Sequence, residues 1–295
     1  FALVSWARKM CIRDRLTTCA GDHDSEVRAQ AVKMLGDVAS DPAAIAPALK
    51  DAEPRVRMFA ALAIARSLSL KPVAANDALR AVVLDFLREN ADQEIYLRHA
   101  GAVALSKLEP AKFEARNEAA PIRLAVVLAL RRSPGDGKAL INFLHDTDPR
   151  VQLEAVRAIH DSPDASLQHE ANKHFAALLK INSLSEAVLY RALNSLYRAG
   201  HAEVIASYAA TQGAPEKLRI EALAMLGDWA KPKKLDRVLG DFRPLPDRDP
   251  AEAVKAFRPR LGPIFAGSAK LRAEAAKVAA KLSIKEVAAT LREMV

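Results

Sequence analysis

His169, Glu170 and His174 are the nearest this chain comes to a metal-binding motif. Zinc-dependent hydrolysis needs two imidazoles at i and i+4, so that both leave one helix face with a carboxylate beside them. Here the spacing is i and i+5, which at 100° per residue turns the second ring about 140° away from the first. The ligands diverge, and the three residues read as the polar outer face of a helix. Asp228 beside Trp229 pairs an acid with an aromatic, as base-excising enzymes do, but no basic groove surrounds it. A packed Trp closing a helix ahead of Lys231-Pro232 is the preferred reading. Lys231, Lys233, Lys234 and Arg237 form the one basic cluster, read as a solvated helix start and not a phosphate site. Cys11 and Cys19 form no Cys-x-x-Cys pair, and no Gly-rich phosphate loop or Ser/His/Asp or Cys/His arrangement can be assembled. The expectation is a non-catalytic chain with no cofactor, no metal and no small-molecule substrate.

What such residues would have to be mounted on is a repeat. Eight stretches begin with an apolar residue, usually followed by Arg, and carry small or apolar residues four, five, seven and eight positions on. Their lead residues are Val27, Val56, Leu97, Ile122, Val151, Val188, Leu218 and Leu271. These offsets share one broad face of a helix, so each copy is an amphipathic helix and not a strand. Ala31, Ala60 with Ala61, Gly101 with Ala102, and Ala275 with Ala276 keep the side-chain layer thin, letting helices approach closely. Second helices are expected to start at Asp41-Pro42, Asn76-Asp77, Asp136-Gly137, Asp164 and His201, because an acid or amide before a helix and Pro just inside it suit the unpaired first amides. A unit that cannot bury its own apolar face must stack on its neighbours.

An acceptor also recurs six residues before each Arg. Asp22 precedes Arg28, Asp51 precedes Arg57, Asp92 precedes Arg98, Asn117 precedes Arg123, and Asp146 precedes Gln152. A side chain there can bond the first helix amides and reach the guanidinium of its own repeat or the next, so stacking would build a ladder. Ser183, Gly213 and Ala266 occupy the acidic position in the last three copies, which are therefore expected to be held by packing alone.

The acid-to-Arg register, the turn prolines Pro54, Pro121, Pro149 and Pro215, and the Ala-rich helices resemble HEAT repeats over roughly residues 20–295. The resemblance implies an all-α solenoid, a right-handed superhelix of about eight helical hairpins whose second helices line a concave face that holds other macromolecules. It does not imply an enzyme. Residues 227–249 resemble, more narrowly, the HEAT segment of large exported bacterial proteins in which a β-propeller of the sugar-dehydrogenase type precedes the solenoid and a c-type cytochrome follows. That would make the chain the spacer of an oxidoreductase, periplasmic or exported; otherwise a cytoplasmic location is expected.

Positions +2 and +6 point away from the packed stripe and should be polar on a solvated helix. In copies two to four they are Met58 and Leu62, His99 and Val103, Leu124 and Leu128, with Phe59 at +3; in copies five, six and eight they turn mixed or polar, as in Tyr190 and Asn194. Either tight stacking buries these side chains between repeats, or they form an apolar strip that docks a partner protein or a neighbouring domain of a longer parent. The 53-residue interval between Leu218 and Leu271 is interrupted by Pro232, Pro244, Pro246, Pro250, Pro259 and Pro263, which places a Pro-rich insertion at about 231–268. Phe242, Phe257 and Phe265 give it the apolar mass to fold back onto the array.

The formal net charge is +8. Much of the excess falls in residues 1–15, where Lys9 to Arg15 resemble the translation of a sequencing-library adapter, so that segment is read as a non-native or disordered terminus and the solenoid as residues 16–295. The rest is mildly basic with interleaved acids, unlike the concentrated stripe of a nucleic-acid binder, and no apolar run reaches the length of a membrane span. Both ends read as cut, with Ile284 to Met294 expected to open a ninth repeat.

Overall fold

A computed structural model describes residues 12–72, 77–133, 135–181 and 183–284. The expected start at Asn76 and most of the ninth-repeat helix lie outside these residues. Contacts divide the chain into two compact units, Phe1–Ala155 and Val156–Val295.

Every lead residue lies in an α-helix, and no β-strand occurs among the described residues. The all-α solenoid reading is borne out. In the first unit, helix α1 (12–19) is followed by α2 (Ser25–Asp37), α3 (Pro42–Ile45) running into a 3-10 turn (Ala46–Lys50), α4 (Pro54–Leu70), α5 (Asp77–Asn90), α6 (Ile95–Leu105) and α7 (Ala120–Leu130). The repeat helices stack in order, α2 on α4, α4 on α6 and α6 on α7, with α5 against both α6 and α7. Helix α8 (Pro149–Asp161) carries the division between units. The second unit holds α9 (Ala165–Leu178), α10 (Glu186–Arg198), α11 (Ala202–Ala210), α12 (Glu216–Gly227), α13 (Pro250–Phe257), α14 (Leu261–Phe265) and α15 (Ala269–Lys281). Here α10 packs on α12 and α12 on α15, while α9, α11 and α13 form the other layer.

The starts follow local chemistry. Asp24, Asp41, Asp164 and Asp249 each cap a helix by accepting from the amides just inside it. Pro42, Pro54 and Pro250 sit in first turns, where the missing N–H costs nothing. The +4 and +5 positions are buried in every copy except Ala276. Gly36, one position past the repeated stripe, shows how close the helices come: a Cβ added there would stand 2.6 Å from the Cα of Ala63, so α2 and α4 meet backbone to backbone.

Three features depart from the regular hairpin. Residues 106–119 form only a single 3-10 turn, Pro110–Lys112, and the segment starting at Asp136-Gly137 is the 3-10 helix Gly137–Phe143. The Pro-rich insertion is narrower than 231–268: the chain is irregular through 228–249, and 250–265 folds as α13 and α14 because Asp249 and Pro250 begin a helix there. Val27 and Met34, expected in the core, are 39% and 48% exposed among the described residues. Residues 12–15, assigned from sequence to a non-native or disordered terminus, open α1, and the Arg13 guanidinium donates to the Val38 carbonyl at 3.1 Å.

Gly36→Val overpacks the α2–α4 contact and lowers the urea midpoint by an amount equivalent to about 1–3 kcal/mol. Gly262→Ala, where an added Cβ meets nothing within 4 Å, leaves the midpoint unchanged or slightly higher.

Candidate interaction surfaces

The acid-to-Arg register produces contacts of two kinds. Each arginine first reaches back to the turn before its own helix: Arg28 Nη1 donates to the carbonyls of Asp22 and His23 at 3.0 and 3.1 Å, Arg57 Nη1 to those of Asp51 and Ala52 at 2.8 Å, and Arg123 Nη1 to that of Glu118 at 2.6 Å. Arg28 and Arg123 then spend the Nε and Nη2 edge on the carboxylate of the following turn. Arg28 grips Asp51 at 2.8 and 2.9 Å, and Arg123 grips Asp146 at 2.7 and 2.8 Å. The bidentate Arg28 contact holds the Asp51 carboxyl below the usual carboxylate range. Asp51 and Asp146 also accept the amides of Glu53 and Asp148, so one side chain shapes a turn and ties it to the preceding repeat.

These carboxylates thus pair with the arginine of the preceding repeat, not with Arg57 or Gln152 of their own repeat or with a residue of the next. Other rungs correct the sequence reading further. The Asp22 carboxylate does not pair with Arg28; it accepts the Asp24 amide, and only its backbone carbonyl meets the guanidinium. Asp92 pairs with Arg98 of its own repeat and with Arg150. Asn117 is exposed in a turn and makes no rung, because the adjacent Glu118 supplies the carbonyl that Arg123 uses. The last copies are not held by packing alone: Arg219 donates to the Ala209 carbonyl at 2.9 Å and Arg272 to that of Gly267 at 2.8 Å. The backbone contact survives the loss of the acid because the guanidinium needs only a turn carbonyl.

Of the apolar strip, Met58, Phe59, Leu62, Val103 and Leu128 are half-buried and His99 is exposed. Leu124 is a correction: it is only 7% exposed, since α7 is apolar all round and packs against both α5 and α6. Lys33 and Arg55 lie over the Phe59 ring at 5.8 and 5.5 Å, and Ile95 and Tyr96 at the start of α6 are 56% and 68% exposed.

In the second unit the corresponding helix face is covered by the chain itself. Residues 228–249 run as a strap, closed into a tight hairpin by bonds from the Asp236 amide to the Asp241 carbonyl and from the Arg243 amide to the Lys234 carbonyl. Asp236 is the anchor. Its side chain is fully buried and accepts from the amides of Val238 and Leu239 at 2.8 and 3.0 Å, from Asn194 Nδ2 at 3.2 Å and from Arg198 at 3.3 Å. Asn194 Nδ2 also donates to His160 Nε2 at 3.0 Å, and the His160 Nδ1 proton goes to Asp161 at 2.8 Å. Burial alone would push the Asp236 carboxyl up; the amides of Leu239 and Val238 and the charge of Arg198 outweigh it and hold it below its ordinary value of 3.8.

Further along, Tyr190 donates to the Arg237 carbonyl at 2.7 Å, and the Tyr190 hydroxyl is pushed up to about 12 by burial and Glu221. Arg237 bridges Glu221 and Asp228 at 2.6 and 2.5 Å. Arg248 lies over Trp229 at 4.6 Å and Tyr197 at 5.2 Å while donating to the carbonyls of Tyr197 and Arg198 at 2.8 Å. Trp229 is fully buried, donates to Glu252 at 3.1 Å, and thus closes a repeat junction. The basic cluster splits accordingly, Arg237 being an internal anchor and Lys231, Lys233 and Lys234 staying exposed.

The other chemical candidates stay apart. His169 and Glu170 are exposed on α9, and no group of three His, Cys, Asp or Glu side chains that could hold a metal occurs among the described residues. No described helix is long and apolar enough to cross a membrane. The anchor residues His160, Arg198, Asp236 and Arg243 escape sequence analysis because they lie on separate elements. The one available signal is the change to polar residues at Tyr190 and Asn194, the positions that receive the strap.

No family model matches this chain, and no curated protein matches it. Among solved structures, YibA of Escherichia coli is similar over 95% of this chain and 97% of its own, at 16% identity and a TM-score of 0.41. Two engineered proteins are similar over 92% of this chain at 18% identity, with TM-scores of 0.34 and 0.27 and coverage of 68% and 96% of their own chains. At this level of superposition the architecture rests on the helices of the chain itself.

Because the folded Asp236 carboxyl releases its proton more readily than the unfolded one, its network contributes fully above the ordinary carboxylate range and is lost as pH falls through the lowered value. Asp236→Asn removes a charge facing Arg198 and Arg243 and costs about 3 kcal/mol at neutral pH. Thermal melts between pH 3 and 7 are expected to show the variant losing part of the acid-dependent slope of the parent.

Proposed function

We propose that this chain is a non-catalytic, HEAT-type interaction module that holds an extended segment of a partner protein, or of a neighbouring domain in a longer parent, on the strip formed by Met58, Phe59, Leu62, His99, Val103 and Leu128. One observation carries the reading. At the same helix register, +2 and +6, the second unit is covered by an extended segment, with Tyr190 and Asn194 bonded to Arg237 and Asp236. In the first unit that register is apolar and only half-buried. A repeat face that takes its own extended strap in one place is suited to take one from elsewhere where its side chains stay open, with apolar contacts and flanking Arg55 and Lys33 replacing the polar anchors. A helical-repeat architecture is the general kind used for scaffolding.

The test uses a photo-crosslinking residue at Val103, with Leu62→Glu and Leu128→Glu in the same background. The expected result is a crosslink to one defined partner segment, lost in both charged variants while helical circular dichroism and melting temperature are retained. If the charged variants unfold, these side chains are core. If a folded variant keeps the crosslink, the strip is not the contact.

A further inference from the structure

Arg28 and Arg123 each use the guanidinium in two halves, Nη1 for turn carbonyls and the Nε/Nη2 edge for the carboxylate of the following turn. Arg57 occupies the same place at the start of α4 and completes the first half, Nη1 donating to the Asp51 and Ala52 carbonyls at 2.8 Å. Its Nε/Nη2 edge bonds to no described residue. The carboxylate that the register assigns to it, Asp92, is already taken by Arg98 and, at 3.0 Å, by Arg150. The turn explains the diversion: Ala91 and Asp92 both adopt positive φ, 44° and 65°, whereas Asp51 stands at −59°. Beside Arg57 there is instead a polar cleft of about 310 Å³, whose walls include Lys50, Glu89, Asn90, Gln93 and Glu94.

We infer that Arg57 is an unfilled rung, a built site for a carboxylate from outside the chain, namely an aspartate or glutamate side chain of a bound polypeptide. The inference deepens the proposed function and rests on the chain being a protein-binding module. Nη1 is pinned by two carbonyls, so the planar fork is held in one orientation, the condition for bidentate carboxylate recognition. Asp51, Glu89 and Glu94 line the same cleft with Lys50, so its field opposes a doubly charged phosphate more than a singly charged carboxylate. Glu89 and Glu94 also offer acceptors for a backbone amide or a lysine next to the acid in the incoming segment.

The test is a titration of the full chain, labelled at arginine Nε, with sodium acetate, following the Nε–Hε resonances by NMR; Arg57→Lys assigns the Arg57 signal by its disappearance. Acetate is expected to move the Arg57 resonance saturably, at roughly tenfold lower concentration than sodium chloride at matched ionic strength. Arg28 and Arg123, whose carboxylates are in place, stay still. No Arg57 shift, a shift no larger than chloride gives, or equal shifts at all three arginines overturns the inference. So does a tighter response to inorganic phosphate, which makes the cleft a general oxyanion pocket. Since acetate needs no partner protein, a negative result here leaves the crosslinking result on the strip standing, and the reverse also holds.

Discussion

The structure depends on how closely one repeat helix approaches the next. Where Gly36 meets Ala63 there is no room for a methyl group, and the residues at +4 and +5 are buried in every copy except Ala276. Each helix has too little apolar surface to stand alone, so stability comes from flank-to-flank burial between neighbours.

Arginine is the second constraint, and it works through the backbone before it works through charge. A turn between stacked helices leaves carbonyls without partners, and a guanidinium one turn into the next helix satisfies them at Arg28, Arg57, Arg123 and Arg272. Arg219 takes the last-turn carbonyl of Ala209 in α11. The carboxylates of Asp51 and Asp146 add a cross-repeat tie on the free edge of that group. The acid can therefore disappear from the last copies without loss of the arginine's structural role, and at Arg57 the free edge remains while the acid is diverted.

The strap over α10 and α12 inverts the usual arrangement of a surface segment. Beyond Trp229 at its start, its buried side chains are charged, Asp236 and Arg237, while Leu235 and Phe242, paired across the hairpin, are 56% and 70% exposed. Past Trp229, whose ring is buried, the segment is not held by the hydrophobic effect. It is held by geometry: backbone amides, an asparagine and arginines converge on one carboxylate, and an arginine lies over two aromatic rings. Polar anchoring fixes one registry for the strap, whereas the apolar register in the first unit can accommodate side chains of varied shape.

The helices, their starting residues and the small-residue face were legible in the amino-acid order, because capping, proline placement and the 3.6-residue period act over a few neighbouring positions. The position of each arginine was legible for the same reason; that it would bond turn carbonyls was not. Nor was its carboxylate partner: Arg28 and Arg123 each reach 23 residues ahead, and whether the next acid is available depends on φ values at Ala91 and Asp92 that residue type does not specify. The same limit hides the anchor cluster, in which Asn194 and Asp236 are 42 residues apart and Arg243 and His160 are 83 apart. Local patterning sets where this chain turns and coils; only packing in three dimensions decides which charges meet, because that pairing depends on how separate helices are stacked.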